Sequence, residues 1–211
     1  MKRRHVGWIA GAAAAVLVAA GAITYAVAED RTGGPVVRTP GAESADAGFA
    51  RDMAVHHQQA VEMSYIVRDR TRNAEVRRLA YDIAQTQANQ RGMLLGWLDL
   101  WGLPKVSEKP PMAWMGMGDM PERGDGSLMP GMATDTELRK LQSLNGKQAE
   151  ILYLQLMTDH HKGGIHMAEG CVAKCTVGVE KRLAQGMVDA QQGELQVMAQ
   201  MLKERGAKPR S

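Results

Sequence analysis

One histidine-containing segment occurs twice in this chain, 104 residues apart, and this repeat restricts the fold more than any other feature. Residues 53–63 read MAVHHQQAVEM and residues 157–167 read MTDHHKGGIHM, so five of the six histidines lie in two short segments, here called the histidine boxes. The same shift places the RLA sequence of residues 78–80 on the RLA of residues 182–184. Since the repeat extends beyond the boxes, we expect a duplicated helical hairpin.

Helix signals frame both hairpins. Apolar and long side chains recur at helical spacing from about residue 47 to 70, and Asn73 is a predicted N-cap for a second helix that ends near Trp101. Residues 134–137 read TDTE, a capping box that opens a third helix, and a fourth is predicted over about 179–205. No segment alternates like a strand. The sequence therefore predicts an all-α, ferritin-like four-helix bundle over residues 47–205, with hairpins at 47–101 and 134–205.

The segment between the hairpins, residues 102–133, is rich in glycine, proline and methionine and shows little helical periodicity. About 30 residues at up to about 3.3 Å each can retrace the length of a helix. This length permits a ferritin-like crossover, in which a pseudo-twofold axis brings both histidine boxes to equivalent depths. An up-down-up-down bundle is the alternative.

The N-terminus has the pattern of an export segment. Three basic residues at 2–4 precede an uncharged apolar run at 6–28. Residues 1–28 are therefore predicted to be a signal peptide or a membrane anchor. The sequence AVA at 26–28 fits a cleavage site, whereas the length of the run also fits a bilayer crossing of about 30 Å. A flexible tether follows at 29–46. The domain is therefore expected at the outer face of the cytoplasmic membrane or secreted.

Charge excludes one class of function. Of the 26 Lys and Arg residues, three lie in the export segment, which leaves 23 to balance the 23 Asp and Glu residues. A neutral domain without a basic block does not fit nucleic-acid binding. The candidate partners are a metal ion, the membrane through the N-terminal segment, and a second copy of the chain in a homo-oligomer.

The two boxes place soft and imidazole ligands on one helix face. Residues three, four and seven apart share a face, so each box combines two methionines with one or both of its histidines. Thioether with imidazole favours copper, as Cu(I) or Cu(II), over metals that prefer carboxylates. Polar residues at four repeat-related positions offer partners for the imidazoles, namely Gln87, Gln90, Gln191 and Glu194. The alternative is a structural network in which the histidines pack and hydrogen bond without metal.

Two further groups carry candidate chemistry. The linker holds methionines in a segment without a helical stripe, which suggests a second soft-metal site at Met112, Met115, Met117 and Met120, with adaptable apolar packing as the alternative. Cys171 and Cys175 are the only cysteines, and outside the cytoplasm a disulfide across the turn between the third and fourth helices is the leading interpretation. A thiolate metal site is the alternative there.

The boxes resemble the two signature segments of the domain-of-unknown-function family 305, over roughly residues 46–204. The resemblance implies an exported ferritin-like bundle, and some bacterial members of that family have been linked to periplasmic copper binding and resistance. Carried over by motif position, the implied ligand candidates are Met53, His56, His57, Met63, Met157, His160, His161, His166 and Met167.

Three functions follow from these patterns. The first is extracytoplasmic binding of a metal, copper above all, for sequestration or handover without turnover. The second is a structural or partner-binding bundle without metal. The third is a redox metalloenzyme of the cuprous oxidase type, although no catalytic residue is identified and an enzyme is the less favoured interpretation.

Overall fold

The computed structural model describes residues 39–119 and 124–210. The expected signal peptide or anchor at 1–28, and most of the tether at 29–46, lie outside these ranges. Among the helices that are described, none has both the length and the apolar character needed to cross a membrane.

The described residues form five α-helices and no strand, which confirms the all-α prediction. The helices are α1 (Ala45–Arg70), α2 (Ala74–Leu100), α3 (Asp135–Ser143), α4 (Gly146–Lys174) and α5 (Gly178–Glu204). A single 3-10 turn lies in the linker at Ala113–Met115. The four long helices pair as α1 with α2 and α4 with α5, as the repeat predicts.

Local sequence explains where the helices begin. The Asn73 side chain accepts hydrogen bonds from the backbone of Glu75 and Val76, and residues Thr134 and Glu137 form the predicted reciprocal capping box. The expectation of one continuous third helix from residue 134 is wrong, because the chain is extended at Leu144 and restarts at Gly146 with φ of 53°. The capping box therefore opens the short α3, and α4 is the third long helix.

The helices enclose two apolar clusters on either side of a polar layer. The first, here the Met112 cluster, joins the start of α1, the end of α2, the end of α4 and the start of α5, including Phe49, Met53, Leu98, Met167 and Met187. The second, here the Tyr153 cluster, joins the opposite halves of the same helices, including Met63, Ile83, Tyr153, Met157 and Met198.

The membership of the clusters fixes the topology. Because the end of α2 and the end of α4 meet in one cluster, these two helices run parallel, while α1 is antiparallel to both. This is the ferritin-like crossover and not the up-down-up-down alternative. The long linker returns the chain to the end of the bundle where the turn between α1 and α2 lies.

Asp52 on α1 anchors the first half of the linker. Its Oδ2 accepts hydrogen bonds from the backbone N–H of Met112 at 2.7 Å and from Trp114 Nε1 at 2.9 Å. Burial raises the pKa of Asp52, although these two hydrogen bonds oppose the shift. The Trp114 ring packs edge to face on Phe49, with centroids 5.9 Å apart. This part of the linker thus closes the Met112 cluster.

The last residues of the linker are fixed across the bundle. The Gln59 side chain on α1 exchanges two hydrogen bonds with the backbone of Ala133, at 2.9 and 2.7 Å. On α4, a Cβ added at Gly163 would overlap the carbonyl oxygen of Pro130. The helix continues unbroken through Gly163 and Gly164, so close backbone packing, and not an interruption of the helix, explains the glycine at position 163.

A disulfide joins Cys171 and Cys175 at the end of α4. Beside it, Glu180 is fully buried, and no donor from the described residues reaches either of its oxygens. Burial, with the neighbouring Asp46 carboxylate as a second cause, raises the pKa of Glu180 to about 9. Asp46 itself accepts hydrogen bonds from the backbone N–H groups of Thr176 and Val177. A raised pKa on Glu180 favours its neutral form, which avoids repulsion between the two carboxyl groups.

We expect Gly163→Ala to destabilise the domain by about 1–3 kcal/mol, because the methyl group meets backbone atoms that cannot move without shifting the linker. The matched control is Gly186→Ala on α5, where nothing lies within 4 Å and the higher helix propensity of alanine should add roughly 0.5–1 kcal/mol. Urea unfolding of both variants measures the difference. Equal stability of the two would contradict the packing assigned to Gly163.

We expect Glu180→Gln to stabilise the domain at neutral pH by up to about 3 kcal/mol. In the unfolded chain Glu180 ionises above its ordinary pKa of 4.5, whereas the folded protein keeps it protonated up to about 9, so stability falls as the pH rises between these values. Glutamine stays neutral and removes this dependence. Urea unfolding at pH 5 and pH 8 tests it, with the exposed Glu169→Gln as control. A loss of stability at pH 8 would show that the carboxyl group is needed.

Candidate metal centre

Four buried histidines form the polar layer between the two apolar clusters. His56, His57, His160 and His161 are each at most 1% exposed. The His56 and His160 rings lie face to face at the centre, with centroids 3.7 Å apart and planes tilted by 32°. Within each box, the ring centroids of the two adjacent histidines are 6.5 Å apart. The structure therefore brings both boxes into one layer, here called the histidine layer.

Each outer histidine is held by the second helix of its own hairpin. His57 Nε2 lies 2.9 Å from Gln90 Oε1 on α2, and His161 Nε2 lies 2.6 Å from Glu194 Oε2 on α5. Both partners follow their histidine by 33 residues, so the contacts are equivalent under the repeat. Two of the four polar residues expected to orient the imidazoles thus do so, and the carboxylate of one half is an amide in the other.

The acceptors determine which ring nitrogen carries the proton. Since Glu194 Oε2 and the amide oxygen of Gln90 only accept, the Nε2 of His161 and of His57 donates, which leaves Nδ1 as the nitrogen of each ring that can offer a lone pair. His160 Nε2 likewise donates to the backbone oxygen of His56 at 3.0 Å. All three Nδ1 atoms are buried without a partner among the described residues, as are both ring nitrogens of His56.

Burial favours the neutral form of three of the four rings. Burial lowers the pKa of His56 to about 3, and His57 and His161 nearby add to the shift. Burial also lowers the pKa of His57 to about 3, partly offset by its hydrogen bond to Gln90, and lowers that of His160 well below its ordinary value. A neutral imidazole with a free lone pair is the form that ligates metal.

The ring nitrogens do not converge on one point. Among His, Cys, Asp and Glu of the described ranges, the one group of three ligand atoms within 4.8 Å of each other is Cys171, Cys175 and Glu180, two of which form the disulfide. As the rings stand, a single ion in the histidine layer would thus contact at most two imidazoles. Its remaining ligands would have to come from neighbouring thioethers or from ring rotation.

Thioethers lie on both sides of the layer. Met53 and Met167 are buried in the Met112 cluster, and Met63 and Met157 are buried in the Tyr153 cluster. One methionine from each box therefore faces each cluster, which is what antiparallel α1 and α4 require. His166 is exposed and is not brought into the buried layer with the other candidates.

The linker methionines pack on the bundle. Met112 is buried in the Met112 cluster, and Met115 and Met117 pack against it, while Met120 lies outside the described residues. This arrangement is that of the apolar alternative. A metal site formed by these four residues stays a prediction.

Sequence reasoning missed several roles. Gln87 and Gln191 are buried but have side-chain atoms without partners in the described part of the chain. Their positions in the repeat did not reveal that only Gln90 and Glu194 would bond to a histidine. Asp52 holds the linker through the backbone N–H of Met112, a role that the sequence did not indicate. The signal that a sequence does offer is the spacing of 33 residues, which pairs each outer histidine with its partner in both halves.

Comparisons with known proteins agree with this architecture. A family model described as "Domain of unknown function (DUF305)" matches residues 46–202. The structure of a DUF305 protein from Streptomyces coelicolor, described as a candidate secreted protein, is 71% identical, covers 81% of this chain and 99% of that one, and has a TM-score of 0.76. A DUF305 fragment from Deinococcus radiodurans is 29% identical over 76% and 96% of the two chains, with a TM-score of 0.62.

A more distant match shares the fold. CopM in the Cu(I)-bound form is 18% identical and covers 75% of this chain and 96% of that one, with a TM-score of 0.57. No curated protein matches the sequence.

We expect the metal-free domain to lose stability as the pH falls from about 6.5 towards 3. In this range the unfolded chain protonates its histidines while His56 and His57 stay neutral in the folded state, and each unit of pKa difference corresponds to about 1.4 kcal/mol. Urea unfolding across this range measures the loss. His56→Gln should flatten the profile, whereas His166→Gln, at an exposed position, should not. Equal profiles for both variants would contradict the assigned burial cost.

Proposed function

The chain belongs to the DUF305 family, whose model covers most of it, and we propose that its histidine layer binds copper outside the cytoplasm. The single observation that carries the proposal is the set of unpartnered Nδ1 atoms on His57, His160 and His161. Buried polar atoms without partners cost folding free energy, and a bound cation offsets that cost.

The orientation of these rings fits ligation. Ligating imidazoles commonly donate their other N–H to a carboxylate, amide or backbone oxygen, which fixes the tautomer and the ring plane. His161, His57 and His160 each make such a bond, to Glu194, Gln90 and the backbone of His56. These three bonds support the proposal, because each leaves Nδ1 as the ring nitrogen that is free to ligate.

The available ligands favour copper, and Cu(I) in particular. At most two imidazoles reach one ion as the rings stand, and each adjoining cluster contains two buried methionines from the boxes. A combination of imidazole and thioether selects Cu(I) over zinc, manganese or iron, which prefer imidazole with carboxylate or thiolate. CopM, which shares the fold, has been crystallised in Cu(I)-bound, Cu(II)-bound and Ag-bound forms.

The role that fits such a site is sequestration or handover. An imidazole and thioether set holds copper without needing an open position for a substrate. Export of the domain is part of the proposal, supported by the N-terminal pattern and by the description of the Streptomyces coelicolor relative. Anchoring at the membrane and formation of a homo-oligomer stay predictions.

A structural role without metal is the second candidate. The hydrogen bonds of His57 and His161 to Gln90 and Glu194 are those of a stable polar network. Only metal binding gives a use to the Nδ1 lone pairs, since a purely structural layer gains nothing from three unpartnered Nδ1 atoms.

We expect residues 39–211 to bind Cu(I) with submicromolar affinity in an anaerobic competition titration. Changing His56, His57, His160 and His161 together to Gln should remove this binding, because the amide replaces the lone pair while keeping a polar side chain in the layer. The control is His166→Gln, which should bind as the wild type does. Far-ultraviolet circular dichroism checks that the variants stay helical.

The outcomes separate the candidates. Binding that survives in the fourfold variant would move the site to the linker methionines, and no binding to the wild-type protein would leave the structural bundle. Oxygen consumption in the presence of Cu(I), above that of free Cu(I), would instead support the oxidase alternative.

A further inference from the structure

The two halves of the histidine layer differ in one partner. The repeat places a glutamine amide on His57 and a glutamate carboxylate on His161, at equivalent positions and through the same ring nitrogen. The flanking residues of the layer match across the repeat, with a buried glutamine at position 87 in one half and at 191 in the other. The partner of the outer histidine is therefore a chemical difference between the two half-sites, beside the hydrogen bond from His160 to the backbone of His56.

The charge of Glu194 is directed at His161. In the described residues Glu194 makes no ion pair except the one to His161, and its side chain is 25% exposed. It lines a surface groove between α2 and α5 that also holds the carboxylates of Glu75, Asp82 and Glu204 and the single guanidinium of Arg78. No lysine or arginine of the described ranges is thus paired with Glu194, and its negative charge acts on the imidazole and on anything that the imidazole binds.

A carboxylate and an amide act differently through an imidazole. A carboxylate that accepts the Nε2 proton draws it away from the ring, which makes Nδ1 a stronger and more basic donor. The negative charge would also act on an ion held by His161, and it would stabilise a doubly charged ion more than a singly charged one. An amide oxygen fixes the same tautomer without this charge.

We propose that Glu194 makes the His161 half of the layer the half that prefers Cu(II), while Gln90 leaves the His57 half suited to Cu(I). This inference rests on the proposed copper binding and names the residue that sets the oxidation-state preference of each half. Glu194 is a positioning residue, since it acts through His161 and is not itself assigned as a ligand.

The test exchanges the two partners. In Glu194→Gln both halves carry an amide, and this side chain already exists in the folded protein at the equivalent position, so the fold should tolerate it. We expect the Cu(II) affinity to fall about tenfold or more while the Cu(I) affinity changes less. Each tenfold fall in the Cu(II) affinity relative to the Cu(I) affinity raises the reduction potential of the bound copper by about 59 mV.

The reverse variant and a charge control complete the experiment. Gln90→Glu should lower the potential, and the double exchange should return it towards the wild-type value. Asp82→Asn removes one charge from the same groove without contacting a histidine, so it should shift the potential by much less. Equilibrium redox titration of the copper-loaded protein at pH 7.5, with separate Cu(I) and Cu(II) competition titrations, provides the readouts.

Two failures can be told apart. If the wild-type protein binds no copper in either oxidation state, the proposed function and this inference both fall. If it binds copper but Glu194→Gln shifts the potential no more than Asp82→Asn does, the binding stands and the role assigned to Glu194 is wrong. A shift in Glu194→Gln without an opposite shift in Gln90→Glu would also overturn the assignment of one preference to each half.

Discussion

The burial of four imidazoles in the centre of the bundle is the constraint on which the rest of the structure depends. Polar rings between two apolar clusters need acceptors at fixed heights, because a buried donor without a partner costs free energy. The acceptors come from α2, α5 and the backbone of α1, namely Gln90, Glu194 and the oxygen of His56. These contacts fix the register of the four long helices in a way that the adaptable methionine packing above and below does not.

The ferritin-like crossover turns a sequence repeat into a single centre. Because α1 and α4 are antiparallel, equivalent residues of the two boxes meet only near the pseudo-twofold axis, where His56 faces His160. Residues further from the axis separate, so the first methionine of each box lies in a different cluster. The linker maintains this arrangement from outside, through Asp52 at one end and Gln59 at the other.

Much of this could be predicted from local signals. The repeat indicated paired hairpins, and Asn73 and the Thr134 capping box marked helix starts, because capping depends on residues within one turn. The break before Gly146 was missed because apolar residues at helical spacing continue past it, although the dipeptide Asn145-Gly146 is a turn signal. Buried Glu180 and the contact of Gly163 with Pro130 were also out of reach. They depend on segments that are distant in sequence and meet only after the bundle has formed.

The sequence separation of the central contacts bears on how the protein matures. Each hairpin is built from local contacts, but the bond from His160 to His56 spans 104 residues and the one from Gln59 to Ala133 spans 74. Closing such long loops costs chain entropy before any contact compensates, so we expect docking of the hairpins to be the late, slow event in folding. An emerging N-terminal hairpin thus exposes only half of the centre. If the histidine layer binds copper as proposed, an ion would meet the complete set of imidazoles only after the two hairpins have docked.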